Sequence, residues 1–295
     1  MPRQRPLEAL VLHYSQTGNT AKLAEAAGQA LSDRGWKTRI MSFRSPEETR
    51  SLNTPDLLVL GTPTHFWKPP VMAVSRIRAL PRFVGSYAFV YTTYGGVFAS
   101  DSALVLAREA EALGARVLGG ASVYCPHNFM TGDGRRLGDV YPEFGLDQPN
   151  PEAMADFLGA LESVARTLEA GPAGGFDLAR LGSSRKMLSF LDSLVPLSVK
   201  RDFLPLPRVD AEACKQCRMC LSVCDTGAVR FVREEIVTNA GTCMRCYQCV
   251  RACPQGARVT DWAKIEKLLR GVKKLMSPPV TRTAAVDAPT EGSEP

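Results

Sequence analysis

The apolar positions of the chain fall into two rhythms. Short continuous apolar runs read as strands buried on both faces. They alternate with stretches whose apolar residues recur at three- and four-residue intervals, as on one face of a helix. Leu7 to Leu12 (L-E-A-L-V-L) is the first run, and Leu23, Ala24, Ala27, Ala30 and Leu31 follow at helical spacing. Trp36 to Phe43, Asp56 to Leu60, Ser86 to Tyr91 and Arg116 to Tyr124 read as four further strands. Helical patterns lie at about Pro70 to Leu80 and Ser100 to Leu113. Pro151 to Ala170 closes the series, with Met154, Phe157, Leu158, Leu161, Val164, Ala165 and Leu168 on one face. Five strands alternating with five helices predict an α/β fold, a doubly wound parallel sheet.

Polar loops at the carboxyl ends of these strands supply the first chemistry. Ser15-Gln16-Thr17-Gly18-Asn19-Thr20 lies between the first strand and the first helix. Its N–H groups and hydroxyls can converge on a phosphate, helped by the partial positive charge of the helix N-terminus. Alone, such a hydroxyl-rich turn is more often a helix cap. The loop has no lysine and no G-x-x-x-x-G-K-[ST], which argues against a triphosphate, and no G-x-G-x-x-G, so NAD is not indicated. The third strand enters Gly61-Thr62-Pro63-Thr64-His65-Phe66-Trp67, and the fourth enters Thr92-Thr93-Tyr94-Gly95-Gly96.

S-x-T-G-N-T directly after a first strand resembles the FMN phosphate loop of flavodoxins, and the resemblance extends over about Leu7 to Ala170. It implies strand order 2-1-3-4-5, with FMN at the ends of strands 1 and 3, where the winding reverses. Ser15 to Thr20 would then hold the phosphate. Thr62 to Trp67 and Thr92 to Gly96 would flank the isoalloxazine, with His65, Phe66, Trp67 and Tyr94 as candidates to stack on it. Core packing is the competing explanation for each aromatic. His13 is assigned to the sheet rather than to chemistry. About 26 residues, Cys125 to Asn150, separate the fifth strand from the last helix, the length of a lid, a docking loop or a disordered segment. Within it Cys125 and His127 suggest a thiol–imidazole pair, although a solitary Cys at the end of a buried strand is ordinarily a small hydrophobe. Arg135 and Arg136 are either a docking site for an acidic partner or solvated charges.

Eight of the nine cysteines lie between residues 214 and 253, as two copies of C-x2-C-x2-C-x3-C. The copies are offset by 29 residues (Cys214/Cys243, Cys217/Cys246, Cys220/Cys249, Cys224/Cys253), and Gly227-Ala228 and Gly256-Ala257 keep the register. Three thiolates at this spacing wrap three corners of an iron–sulfur cube, and the fourth reaches the other cube. The expected ligation is therefore crossed: Cys214, Cys217, Cys220 and Cys253 for one cluster, and Cys243, Cys246, Cys249 and Cys224 for the other. Structural zinc wants well-separated cysteine pairs and fits this spacing poorly. A disulfide framework needs an oxidising compartment. The segment resembles bacterial-type ferredoxins with two 4Fe-4S clusters. Pro254 follows the last cysteine as that family's pattern wants, whereas Asp225 stands at the equivalent place and puts the turn geometry there in question.

Length and charge adjust the picture little. The 295 residues suit two domains, and 45% apolar with 22% charged residues is ordinary globular composition. No window is long and apolar enough for a membrane span, and the short apolar run before His13 is too little for a signal peptide. The formal charge of +6 falls to about +2 once two oxidised cubes are counted, and a bound phosphate takes it to about zero. Net charge therefore gives no support for nucleic-acid binding.

Boundaries follow from these readings: residues 1–170 as the FMN domain, 171–207 as a connector, 208–261 as a small α+β ferredoxin domain, and 262–295 as a terminal helix and disordered tail. Gly171-Pro-Ala-Gly-Gly175 marks the first break. Met187, Leu188, Phe190, Leu191, Leu194 and Val195 make an amphipathic helix that Pro196 ends. Packing against a domain is the favoured reading, with peripheral membrane contact through residues 184–201 as the sharper one.

FMN joined to two 4Fe-4S clusters resembles flavodoxin–ferredoxin fusion proteins of anaerobic bacteria and archaea. The resemblance implies a cytoplasmic electron carrier between redox partner proteins, converting two-electron into one-electron transfers along an internal wire. The alternatives are a flavin-dependent oxidoreductase fed by the clusters, and a redox-sensing or assembly protein docking through its basic helices. Donor, acceptor, potentials and oligomeric state leave no mark in the sequence.

Overall fold

The computed structural model describes residues 5–44, 49, 51–95, 99–126, 129, 149–183, 186–273 and 281–286. Packing divides them into two units. One lies within Met1–Pro126, Leu146–Ser189 and Pro278–Pro295, the other within His127–Gly145 and Phe190–Ser277.

The first unit is built on β1 (Glu8–His13), β2 (Lys37–Ser42), β3 (Leu57–Pro63), β4 (Tyr87–Tyr94) and β5 (Arg116–Tyr124), parallel throughout and ordered 2-1-3-4-5. Alternating side chains serve opposite faces, as strand geometry requires. Ala9, Val11, Leu57 and Val59 pack under α1 (Asn19–Asp33) and α4 (Pro151–Ala170). Leu10, Leu12, Leu58 and Leu60 pack under α2 (Val71–Ile77) and α3 (Ser102–Ala112). Four helices, rather than the five expected, flank the sheet among the described residues. At the base, Glu169 of α4 accepts from Trp36 Nε1 at 2.8 Å and from Arg34 Nη2 at 2.5 Å, tying α4 to the end of α1.

The sheet also has a sixth strand that the sequence did not suggest. β10 (Arg282–Ala285) pairs antiparallel with β5, from Arg282 opposite Ser122 to Ala285 opposite Gly119. This corrects the expectation of a wholly disordered tail. The approach is possible because β5 carries Gly119 there, where a Cβ would meet the Ala284 carbonyl oxygen at 2.8 Å. Ser163 Oγ of α4 donates to the Val286 carbonyl at 2.6 Å and fixes the end.

The expected boundary at residue 170 also moves. Ala173 is buried and its N–H donates to the Tyr87 hydroxyl at 3.2 Å, while Leu181 packs into the core beside α3. The amphipathic stretch forms α5 (Lys186–Leu194) and is followed by α6 (Leu197–Asp202). Met187, Phe190, Leu191 and Leu194 are exposed, so the packing favoured for this helix is not what these residues do. Arg185 lies outside the described residues.

The second unit holds β6 (Arg208–Val209), α7 (Met219–Ser222), β7 (Val229–Val232), β8 (Glu235–Thr238), α8 (Gln248–Arg251), β9 (Arg258–Val259) and α9 (Trp262–Lys273). β6 pairs with β9 and β7 with β8, both antiparallel. Ile265 and Leu269 of α9 are buried. Among the described residues, no helix is long and apolar enough to cross a membrane.

Candidate cofactor sites

Gly18 stands at the N-cap of α1; its φ of +100° lies in the left-handed region and its missing Cβ leaves open space. No side chain caps this helix. Its first N–H groups, orphaned as at every helix start, are the donors an anion takes. The turn is held from within: Ser15 Oγ accepts from Gly18 N at 3.2 Å, and Gln16 Nε2 donates to the Tyr14 hydroxyl at 3.4 Å. Asn19 Nδ2 donates to the Pro126 carbonyl at 3.1 Å, joining the loop to the chain after β5. Thr17 lies at the half-exposed rim. Thr20 turns inward, 2.9 Å from Thr93 Oγ1, and the Tyr91 hydroxyl donates to its carbonyl at 2.9 Å.

The second loop starts later than the sequence suggested, because β3 continues through Thr62 and Pro63. Thr62 is wholly buried and presents no surface to a ligand. Thr64 N donates to the Thr93 carbonyl at 2.7 Å, and Thr64 Oγ1 donates to Ser102 Oγ at 3.0 Å. His65 and Lys68 exchange both backbone hydrogen bonds, at 2.8 and 3.1 Å, around Phe66 (φ +48°) and Trp67 (φ +67°). A turn with two consecutive positive φ values ordinarily takes Asn or Gly. Two large aromatics held there mark strain of the kind that collects at ligand sites. His65, Phe66 and Trp67 are all half-buried.

The third loop also starts late, since β4 runs on through Thr92, Thr93 and Tyr94. Thr92 is wholly buried, facing Ser122 Oγ at 3.2 Å, and Thr93 is nearly so. Tyr94 is buried against Tyr124, ring centroids 5.9 Å apart, which leaves it the least face of the four aromatic candidates. Gly95 is half-buried, and Gly96 lies outside the described residues. The three loops thus gather at one end of the sheet. The residues fit a phosphate and an adjoining planar ring, with Thr20, Thr62, Thr92 and Thr93 as scaffold beneath. Cys125 is 2% exposed, and burial pushes its thiol up to about 12. It is a packed hydrophobe, and its suggested partner His127 lies outside the described residues, as do Arg135 and Arg136.

In the second unit the sequence repeat is written into the backbone. Gln216 and Arg245, Arg218 and Tyr247, and Gly227 and Gly256 are pairs in the repeat register, and all have φ between +52° and +62°. Asp210 Oδ1 accepts from the N–H groups of Glu212 and Ala213, as Asn239 Oδ1 does from Gly241 and Thr242. These are Asx turns that open each cysteine loop. The halves also interlock: Asp210 N donates to the Ala257 carbonyl and Asn239 N to the Ala228 carbonyl, both at 2.8 Å. Asp225 keeps the turn that Pro254 makes, since Gly227 N bonds the Cys224 carbonyl as Gly256 N bonds that of Cys253.

Burial pushes the Cys246 thiol up to about 12, and Cys249, Cys243 and Cys224 raise it further. Burial likewise raises Cys220, which the Arg258 guanidinium opposes, with Cys249 and Cys253 as cysteine neighbours. Cys214 and Cys217 lie on the less buried side of the first loop. Among the described residues no three His, Cys, Asp or Glu side chains converge as a single ion needs; a cube instead takes each thiolate on a different iron. Two further residues escaped the sequence reading. Tyr247 is 1% exposed, donates to the Pro205 carbonyl at 2.9 Å and packs edge-on against Phe129 and tilted against Trp262. Arg258, 2% exposed, reaches Cys249 Sγ at 3.6 Å.

Comparison with known proteins finds two family models along the chain. Residues 11–121 match the family model "Flavodoxin", and residues 206–254 match "4Fe-4S dicluster domain". No curated protein matches the chain at a significant level. Among solved structures, the Streptococcus pneumonia TIGR4 flavodoxin is 13% identical, with 54% of this chain on 97% of that one and a TM-score of 0.37. A short-chain flavodoxin associated with a non-canonical PDU bacterial microcompartment is 14% identical, with 55% on 98% and a TM-score of 0.38. The rubredoxin oxygen:oxidoreductase of Desulfovibrio gigas is 14% identical, with a TM-score of 0.41; the match takes 57% of this chain and only 37% of that one. A flavodoxin domain implies FMN, and a 4Fe-4S domain implies iron–sulfur clusters, so the role is electron transfer or oxidoreduction. The chain joins an N-terminal flavodoxin to a C-terminal ferredoxin-like 4Fe-4S unit.

Proposed function

We propose that this protein is a cytoplasmic electron carrier holding one FMN and two 4Fe-4S clusters, passing electrons between redox partner proteins. Bound FMN supplies exchange between two-electron and one-electron transfers, and each cube supplies single-electron steps. The chain's own residues bind and tune. The α1 N-terminus with Ser15, Thr17, Gly18 and Asn19 holds the phosphate. His65, Phe66 and Trp67, presented on their strained turn, cover the ring. Cys214, Cys217, Cys220 and Cys253 ligate one cube, and Cys243, Cys246, Cys249 and Cys224 the other.

The observation that carries this reading is the doubled cysteine loop: Asp210 and Asn239 open the two loops with the same turn, and their N–H groups lock the halves together through the Ala257 and Ala228 carbonyls at 2.8 Å. Anaerobic purification with iron and flavin counting tests it: about eight irons and one FMN per chain are expected. Cys224→Ser should cost the Cys249 cube and leave about four irons. Zinc in place of iron, or loss confined to the cube of Cys214, Cys217 and Cys220, overturns the assignment.

A further inference from the structure

The repeat that pairs the cysteines continues past them and then breaks. Gly227-Ala228-Val229 in the first half corresponds to Gly256-Ala257-Arg258 in the second. Val229 and Arg258 are both buried, at 5% and 2% exposure, and each opens its strand, β7 or β9. One half therefore places an apolar side chain where the other places a guanidinium.

That guanidinium is poorly provided for by the protein. Arg258 Nη2 donates to Thr238 Oγ1 at 2.8 Å and lies 3.5 Å from the Pro207 carbonyl and 3.6 Å from Cys249 Sγ. Nε and Nη1 are buried with no acceptor among the described residues. Arginine cannot shed its proton to escape burial, and a buried cation is stable only beside an anion. The sulfur it touches belongs to a thiolate of the proposed clusters, whose oxidised cube carries about two negative charges.

We propose that Arg258 is the internal counter-charge and N–H donor of the cube bound by Cys249, and that it makes the two cubes unequal. This rests on the two-cluster reading above. Positive charge and N–H···S bonds favour the more negative, reduced state of a cube. The Cys249 cube accordingly holds the higher potential. With both cubes bound, the Cys249 cube would be the favoured one-electron acceptor of the pair, its reduction balanced by oxidation of the other cube with no proton required. Arg258 is a tuning residue rather than a ligand; its charge also reaches Cys220 of the partner cube, but its N–H···S contact is with Cys249, and Val229 gives the other half no donor at the equivalent place.

The test is a reductive titration of the full-length holoprotein followed by low-temperature electron paramagnetic resonance. Wild type, Arg258→Lys, Arg258→Gln and Arg258→Met are compared, each with its iron count. Two separate midpoints are expected for wild type. In Arg258→Met and Arg258→Gln the upper one should fall by at least a tenfold change in its reduction equilibrium, 59 mV for one electron. The lower midpoint should move less, and Arg258→Lys should retain most of the wild-type separation. Loss of only the Cys249 cube from Arg258→Met, with Arg258→Lys intact, would also support the proposal. Unchanged midpoints, equal shifts of both, or equal loss of both cubes from all variants would overturn it. A wild-type count well short of eight irons would instead sink the two-cluster reading itself.

Discussion

Thr20 and Thr93 face each other across 2.9 Å, one at the start of α1 and the other near the end of β4. The contact joins the phosphate loop to the third loop beneath the surface a ligand would touch. Neither side chain meets solvent appreciably, so each hydroxyl depends on the other for a partner. Thr93→Val should strand the Thr20 hydroxyl, at a cost of about 1–3 kcal/mol. The expected outcome is a lower Tm and FMN binding weakened about tenfold, read from flavin fluorescence, with the iron count unchanged.

Gly18 tests the cradle from the other side. Its φ of +100° excludes easy replacement, although the space beside it is empty. Gly18→Ala should cost about 1–2 kcal/mol through backbone conformation alone. Flavin occupancy after purification should drop. Full occupancy with unchanged affinity would mean that the loop does not shape the phosphate site.

The pairing of Glu169 with Arg34 and Trp36 gives a pH dependence. Burial raises the Glu169 carboxyl, but hydrogen bonds from Arg34 and Trp36 outweigh it and hold the group below its ordinary value. A depressed carboxyl contributes stability above its unfolded value, about 4.3, and loses it as the pH falls through the folded one. Glu169→Gln should therefore have a lower Tm than wild type at pH 6, and the gap should close towards pH 3. A gap that widens with acid would contradict the sign.

Removing residues from 281 onward should strip β10 from β5. The loss of its ladder and of the Ser163 bond to Val286 should destabilise the first unit by about 2–4 kcal/mol. Tm should fall by about 4–16 °C, at about 2–4 °C per kcal/mol, and the β5 amides should exchange faster. Iron content should stay as in the full-length chain.

Cys125 should resist alkylation in the folded protein at pH 8, because burial holds its thiol up to about 12 and the thiolate is the nucleophile. Mass mapping after iodoacetamide treatment checks this. Rapid labelling of Cys125 would reopen its pairing with His127.

Much of this was legible because the strongest signals are geometrically stiff. A buried parallel strand needs an unbroken apolar run, as Leu57 to Leu60 shows, and cysteine spacing admits few arrangements. The strand ends were not legible. Thr62, Thr92 and Thr93 look like loop residues, yet they extend β3 and β4, with Thr92 answered by Ser122 and Thr93 by Thr20. β10 was missed because T-R-T-A-A-V is short and weakly apolar; what recruits it is Gly119 on the strand opposite. Arg258 was within reach, since carrying the 29-residue register five residues beyond Cys253 sets it against Val229.

The antiparallel partner of β5 also bears on how the molecule is made. While the ribosome works through the entire cluster-bearing unit, the outer margin of β5 has no neighbour, and its unmet N–H and C=O groups could template pairing with another chain. The ferredoxin-like portion can condense on its own during that interval, as segments made earlier commonly do. The last short strand then seals the sheet. Yield in cells should accordingly depend on how long that bare margin waits, which slowed translation through the second unit would lengthen.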